Sequence, residues 1–398
     1  MQTLDAVDTI ASAGTNIPAP PARPVEVPMS RPSLDASDIA AVVAVLGGSS
    51  LSMGPEIAAF EREMAQYIGA REGIGVNSGT SGLHLCLSAL EVGAGDEVIT
   101  SPFSFVASAN CALYVGAKPV FADIDRDTLN IDPQRVADAI TPRTRAVVPV
   151  DVFGQPCDMD AISTLAGRHG LDVVQDSCEA IGAERNGVRI GAGADAAIFA
   201  FYPNKQMTTG EGGMIVTSNP DLARVMRSQA NQGRDDEGTW MNHVRLGFNY
   251  RLDEMSAALG RSQLSRIDSI LDRRSGVAAW YAERLAGVAG IRTPHVAPET
   301  TRMSWFVYVI QTEDGIDRDQ LVRELADHGI PSRPYFVPIH LQPFYRTTFG
   351  YGPGDFPVTE EVAGRTIALP FFTDMTREQV DLVGTRLEQS LLRSAATR

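Results

Sequence analysis

Lysine is scarce in this sequence: Lys118 and Lys205 are the only lysines among 34 basic residues, and all the others are arginines. Arginine cannot replace a lysine that must become a neutral, nucleophilic amine, because its guanidinium stays protonated. A chain that uses arginine almost everywhere and still keeps two lysines marks both as candidate reactive amines. Chance retention would give the same count, so the surrounding motifs have to decide.

Closely spaced cysteine pairs and a net positive charge are also absent. Cys86, Cys111, Cys157 and Cys178 are spread along 398 residues without a Cys-x-x-Cys pair, which argues against structural zinc or a disulfide framework, so we expect buried free thiols and no metal. The formal net charge of −15 would repel nucleic acid and excludes it as a partner. An anionic small molecule can still bind in a locally positive pocket.

Long apolar runs are absent as well. Stretches such as residues 146–150 and 196–201 are too short to cross a bilayer, so we expect no membrane contact. The chain has no basic residue before Arg23, unlike the charged start of a signal peptide, and a cytoplasmic location is expected. Residues 1–26 include a proline-rich stretch and are predicted to form an extended tail.

What the sequence does contain is an alternation of helical patterns with short apolar runs. This alternation predicts an α/β fold with a mostly parallel sheet covered by helices, in which ligands bind at the carboxyl ends of the strands. Residues 212–217 follow the preceding strand so closely that they are predicted to pair antiparallel. A helix over residues 255–272 is predicted to lead from a large domain, residues 27–272, into a small α/β domain, residues 273–398. The predicted strands of the large sheet are residues 98–100, 119–122, 146–150, 172–175 and 196–201.

Two motifs place binding groups at such strand and helix ends. Residues 76–83 (Val-Asn-Ser-Gly-Thr-Ser-Gly-Leu) put Gly79, Thr80 and Ser81 where a loop enters a helix. Free N–H groups at a helix start bind phosphate, although the same residues also make an ordinary helix cap. Asp176 follows the predicted strand 172–175, a common position for a ligand contact and also for a turn aspartate.

The third motif surrounds one of the two lysines. Lys205 lies just past the predicted strand 196–201 and is followed by Gly210, Gly212 and Gly213, which let the backbone pass close to a ligand. A lysine in this setting fits a Schiff-base site, and it equally fits an exposed loop.

These three elements, in this order and spacing, resemble the DegT/DnrJ/EryC1/StrS family of sugar aminotransferases, which use pyridoxal 5′-phosphate (PLP). The resemblance runs from about Val27 to the last helix and implies a PLP aminotransferase of fold type I, with a large PLP-binding domain. It rests on seven segments in register: residues 52–55, 78–81, 101–107, 152–158, 199–213, 247–252 and 333–343.

The resemblance implies a role for each matching residue. Lys205 would bond covalently to PLP and, once released, would move the proton between the donor's α-carbon and the cofactor's C4′. Asp176 would hold the pyridine nitrogen protonated, so that the ring can accept electrons, and Phe105 would stack on the ring.

The same resemblance implies how the phosphate and the sugar are held. Gly79, Thr80 and Ser81 would bind the phosphate together with Asn249 from the partner subunit, which makes the active unit a homodimer with shared sites. Two further residues would line the sugar pocket: Tyr335 and His340.

Two positions depart from the family pattern. Ala200 stands where many relatives have a phosphate-binding serine, so one contact is missing. Glu179 stands where many have glutamine or histidine, near the cofactor's phenolate, which would repel a carboxylate unless it is protonated or turned towards the incoming amine. Glutamate at this position is similar to perosamine-synthase-like members, which aminate C4 of a GDP-4-keto-6-deoxy sugar.

The implied function is transfer of an amino group from L-glutamate to a nucleotide-linked keto sugar, with a 4-keto-6-deoxyhexose favoured by Glu179, in deoxyamino-sugar, polysaccharide or antibiotic biosynthesis. An aminotransferase for a cyclitol or another secondary-metabolite ketone fits the same motifs. A PLP sugar dehydratase is disfavoured because Lys205 is not replaced by histidine and the cysteines do not cluster. A non-catalytic regulator is disfavoured because Lys205 and Asp176 are both present.

Overall fold

The computed structural model describes residues 27–235 and 241–396, so the predicted tail, residues 1–26, lies outside the described residues. The helices, in chain order, are α1 Ala36–Leu46, α2 Pro55–Ile68, α3 Gly79–Ala89, α4 Ala107–Tyr114, α5 Pro133–Ala139, α6 Met159–His169, α7 Pro220–Ala230, α8 Glu254–Leu264, α9 Ile267–Leu285, α10 Arg318–Asp327, α11 Pro343–Phe349, α12 Pro357–Arg365 and α13 Arg377–Ala396. The strands are β1 Glu72–Val76, β2 Glu97–Thr100, β3 Lys118–Phe121, β4 Thr144–Val148, β5 Asp172–Asp176, β6 Glu184–Arg185, β7 Val188–Arg189, β8 Ala196–Ala200, β9 Gly213–Thr217, β10 Ile291–Arg292, β11 Thr300–Arg302, β12 Tyr308–Thr312 and β13 Thr366–Leu369. None of the described helices is both long and apolar enough to cross a bilayer.

Within the described chain, the largest sheet has seven strands in the order β1-β9-β8-β5-β4-β2-β3. The pairs from β8 through β5, β4 and β2 to β3 are parallel, whereas β9 runs antiparallel to both β8 and β1. The mostly parallel sheet and the antiparallel pairing of residues 212–217 are therefore confirmed. Because the parallel strands share a direction, β5 and β8 end at the same edge, and this edge carries the candidate site.

Helices cover both faces of this sheet, as the alternation of strands and helices predicts. In β8, Ile198 packs into a core with α3 and α7, and its neighbour Phe199 packs into a second core with α2 and α8. Successive side chains of a strand point to opposite faces, so a run of apolar residues serves both cores.

The edge strand β1 was not among the predicted strands. Gly73 and Gly75 interrupt its apolar pattern, and glycine weakens a strand signal. The structure shows why glycine is present: a Cβ on Gly73 would lie 2.4 Å from the carbonyl oxygen of Glu61, and one on Gly75 would lie 2.3 Å from Ile57 Cδ1. Helix α2 therefore packs directly on the backbone of β1.

The predicted single helix over residues 255–272 is wrong, because the chain forms α8 and α9 with a break at Ser265 and Arg266. Arg266 leaves the helical conformation (φ −124°), and its guanidinium pairs with Asp35 and Asp38 beside α1. Helix α9 then packs first against the large sheet and later against the C-terminal core. The predicted domain boundary at 272/273 falls inside α9.

The C-terminal part is built on an antiparallel sheet, β10-β12-β13, covered by α10 and α13, and Val27 is buried in the same core. The apolar run of residues 305–310 forms a strand only from Tyr308 onward. Its first carbonyls, those of Trp305 and Phe306, accept hydrogen bonds from the buried Arg274 at 2.6 and 2.7 Å instead of from a neighbouring strand.

Candidate active site

A cavity of about 570 Å³ opens at the carboxyl ends of β5 and β8, beneath residues 334–336. Residues from seven separate segments form its wall, so the fold gathers groups that are distant along the chain. The predicted site residues that line it are Gly79, Thr80, Phe105, Asp176, Glu179, Lys205 and Tyr335.

Lys205 lies in a turn after β8 that is anchored at several points. Its backbone N–H donates to the carbonyl of Tyr202 at 2.9 Å. The next side chain, Gln206, is buried and its amide donates to the carbonyl of Glu179 at 2.6 Å and to the hydroxyl of Ser304 at 2.9 Å. These hydrogen bonds fix the backbone of the turn, from which the Lys205 side chain enters the cavity.

The amine of Lys205 is only slightly exposed, with 13% of its side chain accessible. Its Nζ lies 3.6 Å from Glu179 Oε1 and 4.0 Å from the centroid of the Phe306 ring. A carboxylate and an aromatic face both stabilise an ammonium group. Lys205 is therefore held in the cavity wall and is not an exposed loop lysine.

Asp176 is the buried last residue of β5. Its Oδ2 accepts a hydrogen bond from the Ser108 hydroxyl at 2.7 Å, and its Oδ1 accepts from the N–H of Cys178 at 3.2 Å. The Ser104 hydroxyl lies 2.8 Å from that of Ser108. These bonds orient the carboxyl group, and lone pairs remain for a donor in the cavity.

A second buried carboxyl group, that of Asp151, holds the end of β5 in place through hydrogen bonds. It accepts hydrogen bonds from the side chains of Gln175 (2.9 Å) and Ser177 (2.6 Å), the two neighbours of Asp176, and from the N–H of Cys157 (2.8 Å). Burial raises the pKa of Asp151 to about 6. Asp151 thus positions the strand end that carries Asp176.

Helix α3 begins at the cavity wall. The Ser78 hydroxyl accepts from the N–H of Ser81 at 3.1 Å, and the Ser81 hydroxyl donates to Asn77 at 2.6 Å, so Ser81 belongs to the helix cap and not to the cavity wall. Within the described residues, the N–H groups of Gly79 and Thr80 have no acceptor. Unpaired N–H groups at a helix start bind anions.

Gly79 is required because the helix start lies directly on two strand ends. A Cβ at Gly79 would be 2.8 Å from Cys178 Sγ and 2.9 Å from Ala200 Cβ. Ala200 therefore lies against the helix start without offering it a hydroxyl group.

Glu179 is buried and both of its carboxyl oxygens are engaged. Oε1 faces Lys205, and Oε2 accepts from the N–H of Phe153 at 3.0 Å. Burial raises the pKa of the Glu179 carboxyl, and the positive charge of Lys205 opposes this rise. Phe153 has a left-handed backbone (φ +59°), a conformation that non-glycine residues rarely adopt.

The remaining predicted residues have different placements. Phe105 borders the cavity with 63% of its surface exposed, and Tyr335 stacks on Phe153 with 6.2 Å between ring centroids. His340 is fully buried away from the cavity wall, with Nε2 3.0 Å from Glu360 Oε1. Asn249 is exposed, its carbonyl accepts from the Asn77 side chain at 3.4 Å, and Asn249 is not among the residues that line the cavity.

Sequence reasoning missed several residues that complete the site. Ser104 and Ser108 are four residues apart around the start of α4, and this spacing on one helix face is the signal that could have found them. Phe306 and Gln206 carry no such signal, because their contacts join segments about 100 residues apart that meet only in the folded chain.

Comparison with known proteins gives three consistent likenesses. The model of the DegT/DnrJ/EryC1/StrS aminotransferase family matches residues 32–388. GDP-perosamine synthase of Caulobacter vibrioides is 40% identical over 344 residues, covering 86% of this chain and 91% of that protein. The dTDP-3-amino-3,4,6-trideoxy-alpha-D-glucose transaminase of Streptomyces venezuelae is 41% identical over 350 residues, covering 87% and 90%.

A solved structure agrees with these matches. S. venezuelae DesV, in complex with a ketimine intermediate, is similar with a TM-score of 0.86 and 38% identity, covering 92% of this chain and 98% of that chain. The predicted family resemblance and the predicted aminotransferase fold class are therefore confirmed.

Proposed function

This chain belongs to the DegT/DnrJ/EryC1/StrS aminotransferase family, and we propose that it transfers an amino group from L-glutamate to a nucleotide-linked keto sugar with PLP as its cofactor. The observation that carries the proposal is the cavity in which Lys205 and Asp176 share the wall with the start of α3. The relatives named GDP-perosamine synthase and dTDP-amino-sugar transaminase support a nucleotide sugar as the acceptor. Glu179 favours a 4-keto-6-deoxyhexose.

The residues present fit PLP group by group. When bound, PLP supplies an aldehyde that condenses with amines and a ring that accepts electrons from the reacting carbon. The amine of Lys205 is the complement of the aldehyde, and the carboxyl group of Asp176 is the complement of the ring nitrogen. The unpaired N–H groups of Gly79 and Thr80 suit the phosphate, and Phe105 provides an aromatic wall.

Each of these residues has a task that its surroundings support. Lys205 holds and moves a proton at Nζ, and the anchored turn around Gln206 keeps that atom in place. Asp176 would accept a hydrogen bond from the ring nitrogen, and Ser108 and the backbone of Cys178 fix the orientation of its carboxyl group. We also assign Ser81 to the phosphate site, because its N–H bonds to the cap residue Ser78 and its hydroxyl bonds to Asn77, which ties down the start of α3.

We propose a homodimer in which Asn249 enters the partner's cavity. Asn249 lies in a segment bonded to Asn77 beside the cavity, and this segment exposes Met241, Val244 and Leu246, the last with 80% of its surface accessible. A group of exposed apolar side chains is typical of a surface that is covered by another protein molecule, here a second copy of this chain. The cytoplasmic location also remains a prediction, which the free thiols of the four cysteines support.

A cyclitol or other ketone acceptor is the second candidate, because every group assigned above acts on the amino donor and the cofactor. Loading the protein with the amino form of the cofactor and offering a panel of nucleotide keto sugars and cyclitol ketones separates the two. Return of the visible absorbance of protein-bound PLP with a nucleotide keto sugar supports the proposal. Return with cyclitol ketones alone contradicts it.

The two lysines provide a matched test of the reactive amine. Lys205→Ala is expected to abolish both the visible absorbance of protein-bound PLP and turnover, because it removes the amine that lines the cavity. Lys118→Arg, at the exposed start of β3, is expected to keep both. Absorbance that survives in Lys205→Ala would refute the assignment.

A further inference from the structure

We propose that Glu179 is the proton acceptor of Lys205: its carboxylate takes the proton that the Lys205 ammonium must lose before the amine can act as a nucleophile or a base, and later returns it. The inference deepens the proposed function and rests on it, since it concerns the same reactive amine.

The geometry places donor and acceptor next to each other. Glu179 Oε1 lies 3.6 Å from Lys205 Nζ, with 10% and 13% of the two side chains accessible, so water does not surround the pair. Both partners are fixed through the same residue, because Gln206 follows Lys205 and its amide binds the carbonyl of Glu179 at 2.6 Å. This bond holds the backbones of the two segments next to each other, so that the two side chains face one another.

The second carboxyl oxygen decides which way Glu179 faces. Oε2 accepts from the N–H of Phe153 at 3.0 Å, a residue with a left-handed backbone (φ +59°). Oε1 is thereby left for Lys205. A glutamine could keep the bond from Phe153 through its amide oxygen, but it could not accept the proton.

The charges around Glu179 act on its carboxyl group in opposite directions. Asp176 repels its negative form, and Lys205 attracts it. The remaining titratable neighbours, Cys178 and Tyr335, have pKa values raised by burial and stay neutral at ordinary pH. The positive charge of Arg333 acts on Tyr335 and opposes the rise of its pKa. The charge of Lys205 is therefore the main one that holds Glu179 ionised.

The transfer is balanced within the pair. One N–H bond of Lys205 breaks and one O–H bond of Glu179 forms, so an ion pair becomes two neutral groups and the net charge of the cavity does not change. Burial penalises both ions, while the Phe306 ring, 4.0 Å from Nζ, favours the ammonium. When Lys205 returns to the ammonium form, the proton comes back from Glu179.

The scarcity of lysine makes the test direct. Lysine labelled with ¹³C at the ε-carbon gives two side-chain signals in the cofactor-free protein, and Lys118→Arg identifies which belongs to Lys205. In Glu179→Gln, the titration midpoint of the Lys205 signal is expected to fall to lower pH, with proton binding weakened about tenfold or more. The Lys118 signal is expected to stay unchanged.

Two further variants test whether the fall comes from the carboxylate of Glu179 itself. Glu179→Asp keeps the negative charge but moves it one methylene away from Lys205, so a smaller fall of the Lys205 midpoint is expected. If Glu179→Gln does not fold, Glu179→Asp is used in its place. Glu211→Gln removes an exposed acid from the same cavity and is expected to leave the Lys205 midpoint in place. An unchanged midpoint in both Glu179 variants, or an equal fall in Glu211→Gln, overturns the inference.

Failure of the inference and failure of the proposed function give different experimental results. If wild-type protein binds PLP covalently but the Lys205 midpoint ignores Glu179, the inference alone fails. If the Lys205 midpoint responds to Glu179 but PLP never gains its protein-bound absorbance, the proposed function fails. The Lys205–Glu179 pair then has no role in PLP catalysis.

Discussion

Asp151 shows how one buried residue links the site to the stability of the protein. Its carboxyl group holds Gln175 and Ser177 on either side of Asp176, and burial raises its pKa from 3.8 to about 6. The folded state therefore favours the protonated form. Below pH of about 4, the group is protonated in both states and costs nothing. As pH rises from about 4 to about 6, the unfolded chain releases this proton first, and folding becomes less favourable.

We predict that wild-type protein loses up to about 3 kcal/mol relative to Asp151→Asn across this range, since one pKa unit corresponds to about 1.4 kcal/mol. The amide of the variant does not titrate, so its own stability does not include this cost. Denaturant unfolding of both proteins at pH 4 and pH 7 measures the difference, in which the other titrating groups cancel. A wild-type advantage that grows towards pH 7 would contradict the assignment.

Residues were predictable where local sequence places them. Asp176 and Lys205 follow strands, and Gly79 and Thr80 begin a helix, so each position could be inferred from its own segment. Phe306 contacts Lys205, and Ser304 contacts its neighbour Gln206, from a distant part of the chain. No local pattern indicates these contacts. The burial of His340 against Glu360 likewise depends on packing between segments.

At the scale of elements, the start of α3 is the part of the site most sensitive to a small change. We predict that Gly79→Ala weakens PLP binding roughly tenfold or more, because a Cβ there would lie 2.8 Å from Cys178 Sγ and 2.9 Å from Ala200 Cβ. The helix must move away, and the loss of one hydrogen bond to a charged phosphate is sufficient for this effect. Titration of PLP into cofactor-free protein measures it.

A helical glycine elsewhere provides the control. Gly167 is exposed on α6, and a Cβ there would meet nothing within 4 Å, so Gly167→Ala is expected to stabilise the protein by up to about 1 kcal/mol through helix propensity. Its PLP affinity should equal that of wild type. Equal affinity in Gly79→Ala would show that the phosphate does not depend on the start of α3.

Helix starts were predictable because their caps are local. Asp35, Asp158 and Asp317 each accept a backbone N–H at the start of a helix, as the sequence pattern of α1, α6 and α10 suggests. The break between α8 and α9 was not predictable, because Arg266 is drawn to acids more than 200 residues earlier. Long-range ion pairs of this kind leave no mark on helical periodicity.

At the scale of the whole molecule, the proposed shared site can be tested by mixing two inactive variants. Lys205→Ala removes the reactive amine, and Asn249→Asp places a negative charge where the partner's phosphate would bind, so each homodimer is expected to be inactive. In a mixed dimer, one site combines Lys205 of one subunit with Asn249 of the other, and this site is intact. The second site carries both changes.

Random exchange of equal amounts of the two variants makes half of the dimers mixed, each with one intact site. The expected activity is therefore about a quarter of the wild-type value, and sedimentation measurements on the same samples confirm that dimers are present. Mixing without subunit exchange should give no activity and serves as the control. If each cavity used only residues of its own subunit, subunit exchange would restore no activity. Asn249 would then have to act within its own chain, where it is not among the residues that line the cavity.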